Sequence, residues 1–296
     1  SDREMLERER LDAVYVATPD QYHRDPCIRA LEAGCHVIVE KPMATTQEDA
    51  EAICAAVEQR GKRFQVDFNH RWLAPYHKVK AMIDAGQLGE PVIGYARKNN
   101  PILVPTEMLA SWAKESSPAW FMSSHDIDLM LWWFGAKPVE VYARGVKRVL
   151  KARGMDTYDG IQSLVTFDGG RIATFEAAWI YPNSSPYMPD SFMEVIGTAG
   201  TTHVDRQAEA IDALLGEKFT CPRTFLNYQV HGEWVGAMPS SMRSFVNACR
   251  SGAARERGRR QSCRRSHGQP RPERRSHRGA AGPRRWLRGE AQGRGH

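Results

Sequence analysis

The chain has 296 residues, 42% of them hydrophobic, with eight tryptophans and a formal net charge of +6. That length suffices for two packed domains, and no run of about 18 apolar residues or secretory apolar segment occurs, which argues against a membrane span and for a soluble, cytoplasmic protein. The charge misleads: fourteen arginines, three glutamates and no lysine put +11 on residues 253–296 and leave −5 on residues 1–252.

Residues 1–10 have a charged helical pattern. Leu11 to Pro19 is a short β-branched run that breaks at a turn, Arg24 to Gly34 reads as a helix closed by its glycine, and His36 to Val39 is a second apolar run ending in Glu40-Lys41-Pro42. A strand-helix-strand unit with a right-handed crossover puts both polar ends on one edge of a parallel sheet, where open α/β sheets bind ligands. Because Pro42 cannot continue a central strand, Lys41 is presented at that edge beside Thr18 and Pro19. Gln47 to Arg60 follows as a helix, with Thr45 and Thr46 as N-cap candidates and Gly61 closing it, and Phe64 to Phe68 completes the first half.

The domain boundary falls near residue 69. Pro75 to Ala85 predicts a helix and Val92 to Lys98 a strand. Asn99 to Ser117 is a loop long enough to suggest a lid or binding segment. Pro118 opens a helix stopped by Gly135, with Phe121, His125, Asp128, Leu129 and Trp132 on one face. Strands are expected near Val139 to Leu150, Gly160 to Phe167, Arg171 to Ile180 and Phe192 to Gly197, with a hairpin at Asp168-Gly169-Gly170. They read as a mainly antiparallel sheet covered by helices on one face, so the other face invites self-association. A last helical pattern spans Met242 to Cys249. The six cysteines form no C-x-x-C pair and no even ladder, which speaks for reduced thiols and against a zinc site; no metal is expected.

Four segments resemble the Gfo/Idh/MocA family of nicotinamide-dependent sugar and polyol dehydrogenases: V-x-V-A-T-P-x-x-x-H from Val14 to His23, Glu40-Lys41-Pro42, His125-Asp126-Ile127-Asp128-Leu129 ahead of Trp132-Trp133-Phe134-Gly135, and Glu194 to Gly200. The resemblance covers residues 5 to 250. It implies a partial Rossmann domain over residues 1–68 and an α+β substrate and oligomerisation domain with a large, mainly antiparallel sheet over residues 69–252. It also implies NAD or NADP as cofactor, a sugar or polyol alcohol as substrate, and a homo-oligomer formed through the second-domain sheet.

By the same resemblance Lys41 orients and polarises the reacting oxygen and also touches the cofactor, and His125 exchanges the alcohol proton and contacts substrate. Thr18, Pro19, Glu40 and Asn69 flank the nicotinamide, His23 makes a cofactor-side contact, and Arg71 approaches the nicotinamide end. Arg97 and Trp112, on or beside the long loop, line the sugar pocket. A departure lies four residues before His125, where family members that oxidise inositols usually carry an aspartate and this chain has Phe121. Two rival readings follow: a non-catalytic binding relative, and an NAD-dependent lyase or glycosidase of the same family.

Two features at the ends bear on this. No G-x-G-x-x-G turn, the motif whose backbone N–H groups hold a pyrophosphate, occurs before Ala17. The expectation is therefore an N-terminal truncation that leaves dinucleotide affinity low and the choice between NAD and NADP unreadable. Residues 253–296 use mostly Arg, Gly, Ser, Pro, His and Ala, too few apolar groups to offset chain entropy, which predicts disorder. Shifted by one base under one choice of synonymous codons, Arg257 to Gly282 yields a pattern like the family's closing helix, so a frameshift is the expectation and a genuine arginine-rich tail the alternative. Nucleic acid and membrane are not expected partners.

Overall fold

A computed structural model describes residues 1–207 and 209–251; the arginine-rich tail and its frameshift reading lie outside the described residues. After helix α1 (Asp2–Arg8), strands β1 (Ala13–Val16), β2 (His36–Val39) and β3 (Phe64–Val66) form an all-parallel sheet in the order β1-β2-β3. The crossovers are α2 (Arg24–Glu32) and α3 (Gln47–Arg60). The side chain of Thr46 accepts the Asp49 amide at the start of α3, and Gly61, at φ 68°, ends it in the left-handed region. Val37, Val39, Leu31, Ile53 and Val57 bury themselves between sheet and helices, which holds the polar strand ends in a fixed row.

The second half begins with a 3₁₀ turn at Asn69–Trp72 and helix α4 (Ala74–Asp84). Strand β4 (Pro91–Pro101) leads through the long loop to helix α5 (Ser124–Phe134). Strand β5 (Pro138–Val146), the short helix α6 (Val149–Ala152), and strands β6 (Gly160–Phe167), β7 (Ile172–Tyr181), β8 (Asp190–Gly197) and β9 (Thr201–Asp205) follow. Six strands make one sheet in the order β5-β6-β7-β4-β8-β9, antiparallel throughout except for the parallel pair β4–β7. Two small hairpins, β10 (Ala213–Leu215) with β11 (Lys218–Thr220) and β12 (Tyr228–Val230) with β13 (Glu233–Val235), precede helix α7 (Ala237–Arg250).

Alternation on β4 sorts the sheet's faces. Ala96, Lys98 and Asn100 point to the helical layer, where Ala96 joins Tyr76, Leu129, Met130, Trp133, Phe175 and Met193 in the larger core. The opposite face carries Ile93, Leu164, Ile172 and Tyr142, each more than a third exposed. Gly197 has a packing reason: a Cβ there would stand 2.1 Å from the Leu88 carbonyl oxygen.

Two of the segments that differ from sequence expectation bear on the site. The strand foreseen to Leu150 stops at Val146, because the Asp159 carboxylate accepts the amides of Arg148, Val149 and Leu150 and nucleates α6 instead. The helix expected from Pro118 starts with a widened π turn at Ala119–Ser123 and becomes α-helical only at Ser124. Within α5, Asp128, Leu129 and Trp133 are buried, and Trp132 is half-buried against the core with Arg71 over its ring.

Candidate active site

Parallel pairing sets Val16 beside Val39, so the segments leaving β1 and β2 run together. The buried ring of His23 fastens them: its Nδ1 lies 2.8 Å from the Pro42 carbonyl oxygen and its Nε2 2.9 Å from that of Thr18. Both ring nitrogens are thus committed to backbone, and the expected cofactor contact by His23 gives way to a staple between the two turns. Thr18 is exposed at the edge and its hydroxyl donates to the Tyr22 carbonyl; Pro19 beside it is half-buried.

Lys41 leaves this edge half-buried, and its Nζ donates to the Phe121 carbonyl at 2.8 Å while standing 4.3 Å over the Phe121 ring. Burial holds its pKa below the ordinary lysine value, against the opposing pull of the Asp20 and Glu40 charges. Glu40 accepts the Tyr15 hydroxyl and the Lys41 amide, and the Tyr15 phenol is driven far above its usual range by burial and by Glu40.

The second half contributes His125 from the first turn of α5. It is 8% exposed, and its ring stacks on that of His70 with centroids 3.9 Å apart and planes at 8°. Phe68 meets it edge-on at 6.2 Å. Burial first, then the charges of Lys41, Lys98 and Arg206, hold the His125 pKa well below its usual value, and burial and His125 do the same to His70. His125 is therefore a neutral base at neutral pH. The Nδ1 of His125 and the Oδ1 of buried Asn69 have no hydrogen-bond partner among the described residues.

Three expectations for flanking residues change. Arg71 forks onto Asp128 and lies over the Trp132 ring at 5.6 Å, so its guanidinium serves the joint between the 3₁₀ turn and α5 and not the nicotinamide end. Arg97 points to the outer face of the sheet, pairing with Asp190 at 3.0 Å, because the period-2 alternation of β4 turns it away from Lys98. Trp112 meets Phe121 edge-on at 6.1 Å and backs the ring beneath Lys41. Asp126, next to His125, makes a buried ion pair with Lys98.

Sequence reasoning overlooked His70, Asp20 and Lys98. Only Asp20 had a signal available, a carboxylate in the turn that shares an edge with Lys41. The orphaned Asn69 oxygen, the half-buried Lys41 and the unpartnered Nδ1 of buried His125 fit the nicotinamide end of a dinucleotide. A glycine-rich cradle for its pyrophosphate is not found among the described residues.

Fold and site together define a class: an open α/β half with a lysine at the carboxyl edge of its parallel sheet, met there by a histidine from a second, sheet-containing domain. The profile of the oxidoreductase family's NAD-binding Rossmann fold matches residues 1–68, and that of the GFO/IDH/MocA C-terminal domain matches residues 76–203. The chain belongs to the Gfo/Idh/MocA oxidoreductase family. It is 33% identical over 207 residues to scyllo-inositol 2-dehydrogenase (NAD(+)) of Bacillus subtilis (strain 168), covering 68% of this chain and 57% of that protein. With inositol 2-dehydrogenase 3 of Saccharopolyspora erythraea it shares 28% identity over 245 residues, 82% of this chain and 68% of that one. The crystal structure of scyllo-inositol dehydrogenase from Lactobacillus casei, solved with NAD(H) and scyllo-inositol, superposes with a TM-score of 0.69 at 20% identity over 90% of this chain and 78% of that one, a likeness of fold. The chain spans less than three fifths of the length of several curated relatives that it matches.

Proposed function

We propose that the protein is an NAD- or NADP-dependent dehydrogenase that oxidises a secondary alcohol of a sugar, polyol or related compound. The observation that carries this reading is the convergence of Lys41 and a neutral, buried His125 at the carboxyl edge of the parallel sheet. Thr18, Pro19, Glu40 and Asn69 flank the nicotinamide, which supplies the hydride acceptor when bound. Lys41 donates to the reacting oxygen and polarises it, and His125 takes the hydroxyl proton as the carbon gives up its hydride. Residues 1–68 serve the cofactor and residues from 69 onward the substrate.

Phe121 favours a second reading, a binding relative without catalysis. Its ring and carbonyl hold Lys41 where the family resemblance places an aspartate, and neither can relay a proton. A homo-oligomer through the outer face of the six-stranded sheet and residence in the cytoplasm complete the proposal. They are supported by the exposed Ile93, Tyr142, Leu164 and Ile172 and by the free thiols of Cys27, Cys35, Cys221 and Cys249. No helix among the described residues is long and apolar enough to cross a membrane.

The test is cofactor reduction with a panel of inositols and sugars. Lys41→Met should lower the rate by roughly 10²–10⁴-fold with cofactor affinity little changed. Binding of both cofactor and a sugar without any reduction in the wild type would replace the dehydrogenase reading with the binding one.

A further inference from the structure

We infer that Asp20 is a positioning residue for Lys41, a counter-ion supplied by the nucleotide-binding half in place of the carboxylate that Phe121 displaces; the inference rests on the dehydrogenase reading above. Its basis is the way one continuous segment of the second half, from Ser116 to Phe121, holds both residues. Asp20 opens the short turn after β1, is 5% exposed, and accepts the Ser116 hydroxyl at 3.0 Å. Five positions further on, in the π turn that follows the long loop, the Phe121 carbonyl accepts from Lys41. The loop is itself anchored in the second half, where Thr157 donates to the Ser116 carbonyl at 2.8 Å. From the other side, the His23 staple draws the turn that contains Asp20 against Lys41-Pro42. The carboxylate and the ammonium are thus held in neighbouring turns, coupled through charge and not by a direct salt bridge.

The electrostatics agree in both directions. Burial raises the Asp20 pKa and lowers that of Lys41, and the strongest relief each receives is the other's charge. The remaining groups around the pair do not offer the same match. Glu40 also favours the Lys41 ammonium but is occupied by Tyr15, and Lys98 on β4 opposes it. His70 and His125 feel the Lys41 charge and are held neutral, and His23 adds a smaller favourable influence on Asp20. Held as an ammonium by Asp20, Lys41 acts as hydrogen-bond donor to the alcohol oxygen, which leaves proton removal to His125.

Labelling with acetic anhydride as a function of pH, followed residue by residue in peptide masses, reads the protonation midpoint of Lys41 without requiring turnover. In Asp20→Asn the midpoint should fall by about one pH unit or more, and Asp20→Glu should restore most of it. In the dehydrogenase assay the alkaline limb of kcat/KM should move down with it. An unchanged midpoint in folded Asp20→Asn, or an equal fall in Asp20→Glu, would overturn the proposal. If neither Asp20 variant folds, the reciprocal change decides: in Lys41→Met the Asp20 carboxyl midpoint, followed by carbon NMR, should rise by a similar amount, because coupling between two sites is mutual. A constant Asp20 midpoint there would equally refute the pairing. A shifted Lys41 midpoint in a protein that reduces no cofactor would keep the electrostatic coupling and discard the dehydrogenase; turnover with an unmoved limb and midpoint would do the reverse.

Discussion

Asp67→Asn should stabilise the protein, and by more as the pH rises. Asp67 follows β3, is fully buried, accepts the Ser241 hydroxyl of α7, and leaves its second oxygen without a hydrogen bond. Burial, with the Glu40 charge adding to it, pushes its pKa up to about 6 from an ordinary 3.8. A carboxyl whose folded pKa is raised binds its proton more tightly in the native state. The associated stability is present in full below the unfolded pKa and is lost as pH climbs through the folded one. With these two values the loss is about 1.6 kcal/mol at pH 5 and about 3 kcal/mol at pH 8. Asparagine keeps an acceptor for Ser241 and cannot ionise, so the variant's advantage over wild type should grow by about 1.4 kcal/mol between those pH values. Urea unfolding at pH 5, 6.5 and 8, with m-values compared, measures it. A difference independent of pH, or one that shrinks toward pH 8, would show that Asp67 is ionised and satisfied in the native protein and would refute the reasoning.

Asp126→Ala leaves Lys98, 4% exposed, as an uncompensated buried cation and should cost about 3–5 kcal/mol in urea unfolding, whereas Asp126→Leu combined with Lys98→Met should cost far less. Arg97→Ala should leave turnover and KM unchanged, since the side chain lies on the outer sheet face, and should lower stability by only about 1 kcal/mol in the same unfolding assay. His125→Ala should reduce cofactor reduction by a factor comparable to Lys41→Met, and the wild-type acid limb should lie below the ordinary histidine range because burial holds this imidazole neutral.

The strands of the first half were legible because each is a short β-branched run broken by a turn, and parallel pairing is then nearly forced by the helix between them. Lys41 and His125 were legible through motif spacing. What escaped depends on partners remote in sequence. The orientation of Arg97 follows from which face of β4 meets the helical layer, and that is decided by Tyr76 and Met130 packing beneath it. His23 looks like any turn histidine until the Pro42 carbonyl, 19 positions on, arrives at its ring. The His70–His125 stack needs the 3₁₀ turn and α5 to meet face to face, and no local pattern announces that. The start of α5 was misread because a π turn leaves no periodic mark distinguishable from an α-helical one over five residues.

The placement of β4 bears on how this chain comes to be folded. As the strand between β7 and β8 it cannot be paired until segments that follow it by 79 to 106 positions are available, as the Ile93–Ile172 and Pro91–Gly197 pairings record. During synthesis the parallel half can form its three strands and two crossovers early, while β4 leaves the ribosome with both hydrogen-bonding edges open and waits for nearly a hundred residues. Pairings this distant make for slow closure and a prolonged opportunity for intermolecular strand pairing. The second half should therefore be the portion that calls on chaperones, and the portion where lesions in distant strands reduce soluble yield before they alter any catalytic constant.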